Sequence, residues 1–227
     1  MIKLILFDLD GTLIDSVDFI VWSFVEAGRR LGIEIDPLEI RRLVGYPIED
    51  FVYYLVSKRG VDEKTLELFF EVRRRLFEEN WEKSIRVFPD VKPVLDELRG
   101  SGYVLGVASS SRVERINLFL RHFNLEKYFN VIVGAGSGLR GKPHPDVLLR
   151  ALSEADVERE EAVYVGDREV DCIASQRAGV RFVLVDRENL GPGGCSPWAI
   201  IPSLRSLLPL LIGELARRNN NASNTSK

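Results

Sequence analysis

The stretch ILFDLDGTL, residues 5–13, decides how this 227-residue chain is read. An apolar run of strand length stops at Asp8 and Asp10 and turns at once through Gly11. Asp and Gly are common turn residues, so a strand running into a polar turn is one reading. The other places a reactive site where a buried strand ends. The rest of the chain separates the two.

Similar runs follow at Tyr103–Ala108, Val131–Val133, Ala162–Val165 and Phe182–Val185. With Leu4–Phe7 they are short, apolar throughout and rich in β-branched or aromatic residues, as parallel strands covered on both faces are. Between them lie DVKPVLDELRGSG (90–102), RVERINLFLRHFN (112–124), PDVLLRALSEAD (145–156) and REVDCIASQRAGV (168–180). These repeat apolar residues at helical spacing, and most close on Gly or Asn. Strand alternating with helix predicts an α/β fold built on a doubly wound (Rossmann-like) parallel sheet.

From Asp15 to Ser84 the alternation breaks. Val17, Val21, Phe24 and Leu31 form one helical stripe that ends at Gly32. Asp36-Pro37 combines a capping side chain with proline at the first helical position. Ile48, Phe51, Val52 and Leu55 make another stripe, and Leu66, Phe69, Val72 and Leu76 a further one. This predicts an inserted α-helical cap domain over 15–84, dividing a core domain of residues 1–14 and 85–212. The arginines of EVRRRLFEEN (71–80) stand among acids and are expected on a solvated helix face. Residues 213–227, which close on NNNASNTSK, are expected to form a disordered tail.

Hydrophobic residues make up 45% of the chain and charged ones 29%, an ordinary globular balance. Net charge is −3 with no dense Lys/Arg block, which argues against nucleic acid and membrane as partners. The two cysteines, Cys172 and Cys195, form no CxxC pair, and two histidines cannot complete a zinc site. Reduced thiols are expected, with Cys172 packed in or near the core. MIKLILFDLDG is too short an apolar stretch for an export signal, and no run approaches the ~20 residues that span a bilayer. A cytoplasmic protein is expected, as a monomer or a homodimer.

Ligands of open α/β sheets bind beyond the carboxyl ends of the strands. At those ends stand Asp8, Asp10 and Thr12; Ser109 and Ser110; a glycine-rich loop reaching Lys142; and Asp167, with Asp171 one helical turn on. Carboxylates converging on one volume repel each other and hold their pKa values up unless cations are present. Lys142 supplies one positive charge. A hard divalent cation is the natural second, and Mg²⁺ fits best because it uses few carboxylates beside phosphate and water.

In order and spacing, Asp8-Leu9-Asp10-Gly11-Thr12, Ser109, Lys142 within GKPHPD, and Gly166-Asp167 with Asp171 resemble the four motifs of the haloacid dehalogenase superfamily. The match runs to about residue 212. The helical insert looks like that family's small α-helical cap, and LVGYPIEDF (43–51) resembles the cap segment of its phosphoglycolate phosphatase-like branch. The resemblance implies that Asp8 attacks phosphorus to give an aspartyl-phosphate. Asp10 would protonate the leaving alkoxide and then deprotonate the hydrolytic water. Ser109 and Lys142 would hold the phosphoryl oxygens. Mg²⁺ would be held by the Asp8 carboxylate, the Asp10 carbonyl and Asp167, with Asp171 behind them orienting Lys142 or a metal-bound water. Thr12, Ser110, Gly45 and Tyr46 are expected to meet the substrate. One departure stands out: many relatives carry Ser where this chain has Arg168, which is expected to pair with Asp171 or point to solvent.

GSGLRGKP (136–143) mimics two nucleotide-binding motifs, but Pro143 stands where a phosphate loop needs Ser or Thr and an opening helix. A P-loop NTPase is therefore a distant alternative. So is a non-catalytic binding protein, which has little reason to keep Asp8, Asp10, Lys142 and Asp167. A dehalogenase has no alkoxide to protonate, and Asp10 argues against it. Mutases of the superfamily often carry Val in place of Thr12. The expected function is Mg²⁺-dependent hydrolysis of a small phosphorylated metabolite, phosphoglycolate first, with pyrophosphatase or sugar-phosphate phosphatase/mutase activity as alternatives.

Overall fold

Leu4, Ile5, Leu6 and Phe7 are completely buried, which requires cover on both sides of the strand they form. The structure, a computed structural model, describes residues 1–136 and 138–213. In chain order its elements begin with β1 (Leu4–Phe7), β2 (Ile14–Asp15), α1 (Val17–Leu31), α2 (Pro37–Leu43), α3 (Ile48–Tyr53), α4 (Glu63–Ser84) and β3 (Arg86–Val87). Then come α5 (Val91–Gly100), β4 (Val104–Ser109), α6 (Val113–His122), β5 (Val131–Gly134) and α7 (Asp146–Ala155). β6 (Ala162–Gly166), α8 (Glu169–Ala178), β7 (Arg181–Val185) and β8 (Ala199–Ile201) complete the set.

The sheet is six-stranded and parallel, in the order β5-β4-β1-β6-β7-β8. Because side chains alternate along a strand, Ile5 and Phe7 pack into the layer of α5 and α6, and Leu4 and Leu6 into that of α7 and α8. β1 lies between β4 and β6, where the strand order reverses, so its carboxyl end opens on the crevice that such sheets use for ligands. The expected doubly wound architecture is therefore present. β8 was not foreseen: three residues after a Gly- and Pro-rich loop are too few to show a period.

α1 to α4 surround their own core of Val17, Ile20, Phe24, Phe51, Leu55, Phe69 and Leu76. The Asp36 carboxylate caps α2 by accepting the Leu38 N–H at 2.9 Å. Ile48, read as part of a buried stripe, is exposed. The chain enters and leaves this helical insert through β2 and β3, which pair antiparallel, Ile14 opposite Val87 and Asp15 opposite Arg86.

Two expectations are overturned. Arg74 and Arg75 lie on the solvated face and pair with Glu78 and Glu71, but Arg73 turns inward. Its guanidinium carbon sits 4.0 Å from the centroid of the Phe24 ring, and its Nε donates to Ser23 Oγ at 3.2 Å. The cysteines are not free thiols: Cys172 on α8 and Cys195 in the loop before β8 are disulfide-bonded, with Cα atoms 6.2 Å apart. Neighbourhood in the fold pairs them across 23 residues, and their spacing in sequence carries no sign of it. The tail expected to be disordered lies outside the described residues, save residue 213, which is helical. Among the described residues no helix is long and apolar enough to cross a membrane.

Candidate active site

The parallel ladder carries one bond past β1, the Asp8 N–H donating to the Val165 carbonyl at 2.8 Å, and this fixes Asp8 at the sheet's carboxyl edge. The turn that follows needs glycine. Gly11 has φ +85°, and a Cβ there would stand 2.2 Å from Asp167 Oδ2. Thr12, expected to meet substrate, donates its hydroxyl to Asp167 Oδ1 at 2.8 Å.

Lys142 is completely buried, and its ammonium has three partners. Nζ lies 2.6 Å from Asp8 Oδ1, 2.5 Å from Asp171 Oδ1 and 3.1 Å from the Tyr164 hydroxyl. The Tyr164 oxygen is also 2.9 Å from the Ala108 carbonyl and 3.0 Å from Asp171. Burial disfavours the ammonium, but Asp171 and Asp8 outweigh it and hold the lysine above its ordinary pKa. Burial also raises the Asp8 pKa well above the carboxylate range, with Lys142 opposing and Asp171 and Asp167 adding to the rise. Asp167 is pushed up to about 7, first by burial and then by Asp171, against Arg168, Thr12 and Lys142.

The Arg168 guanidinium, expected on Asp171 or in solvent, pairs with Asp167, Nε to Oδ2 at 3.1 Å. Asp171 is reached by the Arg168 backbone N–H, at 3.0 Å, which secures the first turn of α8. Asp171 thus touches Lys142, Tyr164 and the backbone.

Carboxylate oxygens of Asp8, Asp167 and Asp171 all lie within 4.8 Å of one another. The buried Asp8 Oδ1, despite its ion pair, has no hydrogen bond of good geometry. Crowded oxygen donors with carboxyl pKa values held up are a set that a hard divalent cation fits.

Asp10 is not one of these three, and its carboxylate has partners of its own. Its Oδ1 accepts from Ser16 Oγ at 2.6 Å and from Arg115 Nη2 at 3.2 Å, and its Oδ2 from Ser111 Oγ at 3.1 Å. Ser109 is buried at the end of β4, its Oγ accepting the Ser111 N–H at 3.1 Å. Ser110 accepts the Lys142 N–H at 3.0 Å and donates to the Gly45 carbonyl at 2.8 Å, joining the helical insert to the sheet edge. Tyr46, next to Gly45, has its phenol pKa raised by burial, with Glu169 and Asp50 adding to it. Asp8, Lys142, Asp167 and Asp171 are thus brought together, while the hydroxyls of Thr12 and Ser110 are engaged by protein groups. Sequence reasoning missed Tyr164, hidden in an apolar strand, and Ser16, Ser111 and Arg115 around Asp10.

The family described as haloacid dehalogenase-like hydrolase matches residues 5–185. A protein of Aquifex aeolicus named phosphoglycolate phosphatase is 32% identical over 183 residues, which cover 80% of this chain and 84% of that one. One of Bacillus mycoides named pyrophosphatase PpaX is 27% identical over 214 residues, 92% of this chain and 97% of that one. Among solved structures, a haloacid dehalogenase-like family hydrolase from Streptococcus pneumoniae superposes with a TM-score of 0.79 at 23% identity. The superposition covers 92% of this chain and 98% of that one, and it bears on the fold alone. The order of the strands, the placing of Asp8, Lys142 and Asp167 at their ends and the match along most of the sequence agree: the chain belongs to the haloacid dehalogenase-like hydrolases.

Proposed function

We propose that this hydrolase is an Mg²⁺-dependent phosphatase of small phosphorylated metabolites that works through an aspartyl-phosphate on Asp8. One observation carries the reading: the buried Asp8 carboxylate stands at the sheet edge against the buried ammonium of Lys142, with Asp167 and Asp171 beside it. A carboxylate held this way is a nucleophile with one trajectory, out of the strand end toward the crevice.

Asp8 attacks phosphorus as the bond to the leaving oxygen breaks, and Asp10 gives that oxygen its proton. Asp10 then takes a proton from water, which attacks the phosphoryl group and restores the Asp8 carboxylate. Lys142 fixes the Asp8 rotamer and places positive charge beside the phosphoryl oxygens, where the Ser109 hydroxyl can also donate. Asp171 and Tyr164 hold Lys142. Asp8, Asp167 and the Asp10 carbonyl would hold Mg²⁺, which would supply further positive charge against the phosphoryl group. The insert, as a cap domain, keeps bulk water from the intermediate.

Phosphoglycolate is our first substrate and pyrophosphate the second, since relatives bear both names and each molecule is compact and multiply charged. Sugar phosphates come after them. With p-nitrophenyl phosphate and Mg²⁺, Asp8→Asn lowers turnover by at least ~1,000-fold while the protein stays folded. EDTA abolishes turnover and Mg²⁺ restores it better than Ca²⁺, whose shell is larger and looser. Near-wild-type turnover by Asp8→Asn, or full activity in EDTA, overturns the reading.

A further inference from the structure

Two arginines stand on the Asp10 side of the site and take no part in the steps above. Arg115, on α6, reaches Asp10 through one nitrogen at 3.2 Å. Its Nε is buried without a hydrogen-bond partner, and the guanidinium carbon lies 5.2 Å and 5.4 Å from the ring centroids of Phe77 and Phe119. Arg73, on α4 of the insert, lies over Phe24 with only Ser23 Oγ as hydrogen-bond partner among the described residues. Burial, with Arg115 adding and Asp10 opposing, pushes its pKa down to about 9, so it remains a cation at neutral pH.

Arg115 is bonded to Asp10 and lies over Phe77, one turn along α4 from Arg73, so the two guanidiniums share one neighbourhood. The neighbours of Arg73 in sequence show the ordinary arrangement: Arg74 and Arg75 are exposed and paired within their own helix. A partly buried arginine with no carboxylate in ion-pair distance among the described residues, and with a second cation close enough to lower its pKa, is costly to keep. Both carry planar forks of donors suited to a carboxylate or phosphate, and both have donors to spare. Asp10 adds a second argument. Its oxygens are occupied by Ser16, Ser111 and Arg115, so a leaving oxygen reaches them only after these contacts are exchanged. An anion that took Arg115 would compete directly with Asp10.

We propose that Arg73 and Arg115 together bind a second anionic group of the substrate, and that this binding releases Asp10 toward the leaving oxygen. The substrate class is then a compact phosphoryl compound carrying a further carboxylate or phosphoryl group within a few bonds of the ester or anhydride oxygen. The inference rests on the phosphatase reading and deepens it: a second anion is what phosphoglycolate and pyrophosphate share and what simple sugar monophosphates lack. Because one arginine comes from the insert and the other from the core, the anion also spans the two, and only a substrate that bears it draws both onto itself.

The test measures kcat/KM for 2-phosphoglycolate and pyrophosphate against 2-hydroxyethyl phosphate and ethyl phosphate, which are of similar size without the second charge. Wild type favours the charged members at least ~10-fold. Arg73→Met keeps the apolar stem on Phe24 and removes the charge, and Arg115→Gln removes the other. Each lowers the ratio of charged to uncharged kcat/KM by about 10- to 100-fold, and Arg73→Lys falls between Arg73→Met and wild type. Should Arg73→Met melt early, the same ratio read for Arg73→Lys and Arg115→Gln decides. A wild type that turns over these esters without preferring the charged ones overturns this inference alone. So do variants that lose equally on both classes. A wild type inactive on every member, p-nitrophenyl phosphate included, overturns the phosphatase reading and this inference with it.

Discussion

A buried ammonium needs partners, and Lys142 has three: hydrogen bonds to Asp171 and Tyr164 and an ion pair with Asp8. Asp8 stands at a strand end and Asp171 one helical turn beyond another, where the ligand crevice of such a sheet had to be, so they were readable from the chain together with Asp167. Tyr164 was not. It sits inside the run Ala162–Val165, where a hydroxyl among apolar neighbours looks like core, and only the fold shows it under Lys142 and against the Ala108 carbonyl. Arg73 failed for the opposite reason: among acids and other arginines it looked solvated, and one position on a helix turned it inward. Tyr164→Phe keeps the ring and leaves the Ala108 carbonyl and one lysine proton unmatched. We expect a loss of about 1–3 kcal/mol and a melting midpoint lower by about 2–10 °C. kcat falls more than KM rises, because Lys142 is left free to swing from Asp8. Unchanged melting and kcat together would show that the hydroxyl holds nothing.

The elements that position the site divide by length. β1, β4 and β6 are continuous apolar runs that read plainly as buried strands, whereas β2 and β3 have two residues each and carry no period of their own. Their pairing is nonetheless what brings the two ends of the insert together beside Asp10. The turn between α2 and α3 is the other joint. Gly45 there has φ +95°, its carbonyl accepts from Ser110, and a Cβ would meet Val170 at 3.0 Å. Gly45→Ala forces a left-handed residue against α8, a strain of about 1–2 kcal/mol. If the turn serves the substrate, the ratio of kcat/KM for 2-phosphoglycolate over p-nitrophenyl phosphate drops about tenfold, since the nitrophenolate needs little help to leave. Equal losses on the two would mark the glycine as a joint between elements and nothing more.

The whole molecule is held in one further way that no motif announced. The loop between β7 and β8 is tied at three points: the Asp186 carboxylate accepts the N–H groups of Leu190 and Gly191, Glu169 accepts that of Gly194, and Cys195 is bonded to Cys172. Glu188 of that loop pairs with Arg41 of the insert at 3.1 Å, and Arg41 also meets Asp18. Cys172 directly follows Asp171, so the disulfide links three things: the helix start that holds Lys142, the loop, and through the loop the docked insert. Closing a loop across 23 residues removes chain entropy from the unfolded state worth ~3 kcal/mol. Dithiothreitol and Cys195→Ser should therefore each lower the melting midpoint by about 5–10 °C. The two together should lower it no further than either alone, since both act on one bond. If the bond also steadies the insert through Glu188, Glu188→Ala raises KM for 2-phosphoglycolate in the oxidised protein and adds little once the disulfide is reduced. A midpoint indifferent to reductant would show that the pair contributes nothing to stability, and additive effects on KM would separate the loop from the insert.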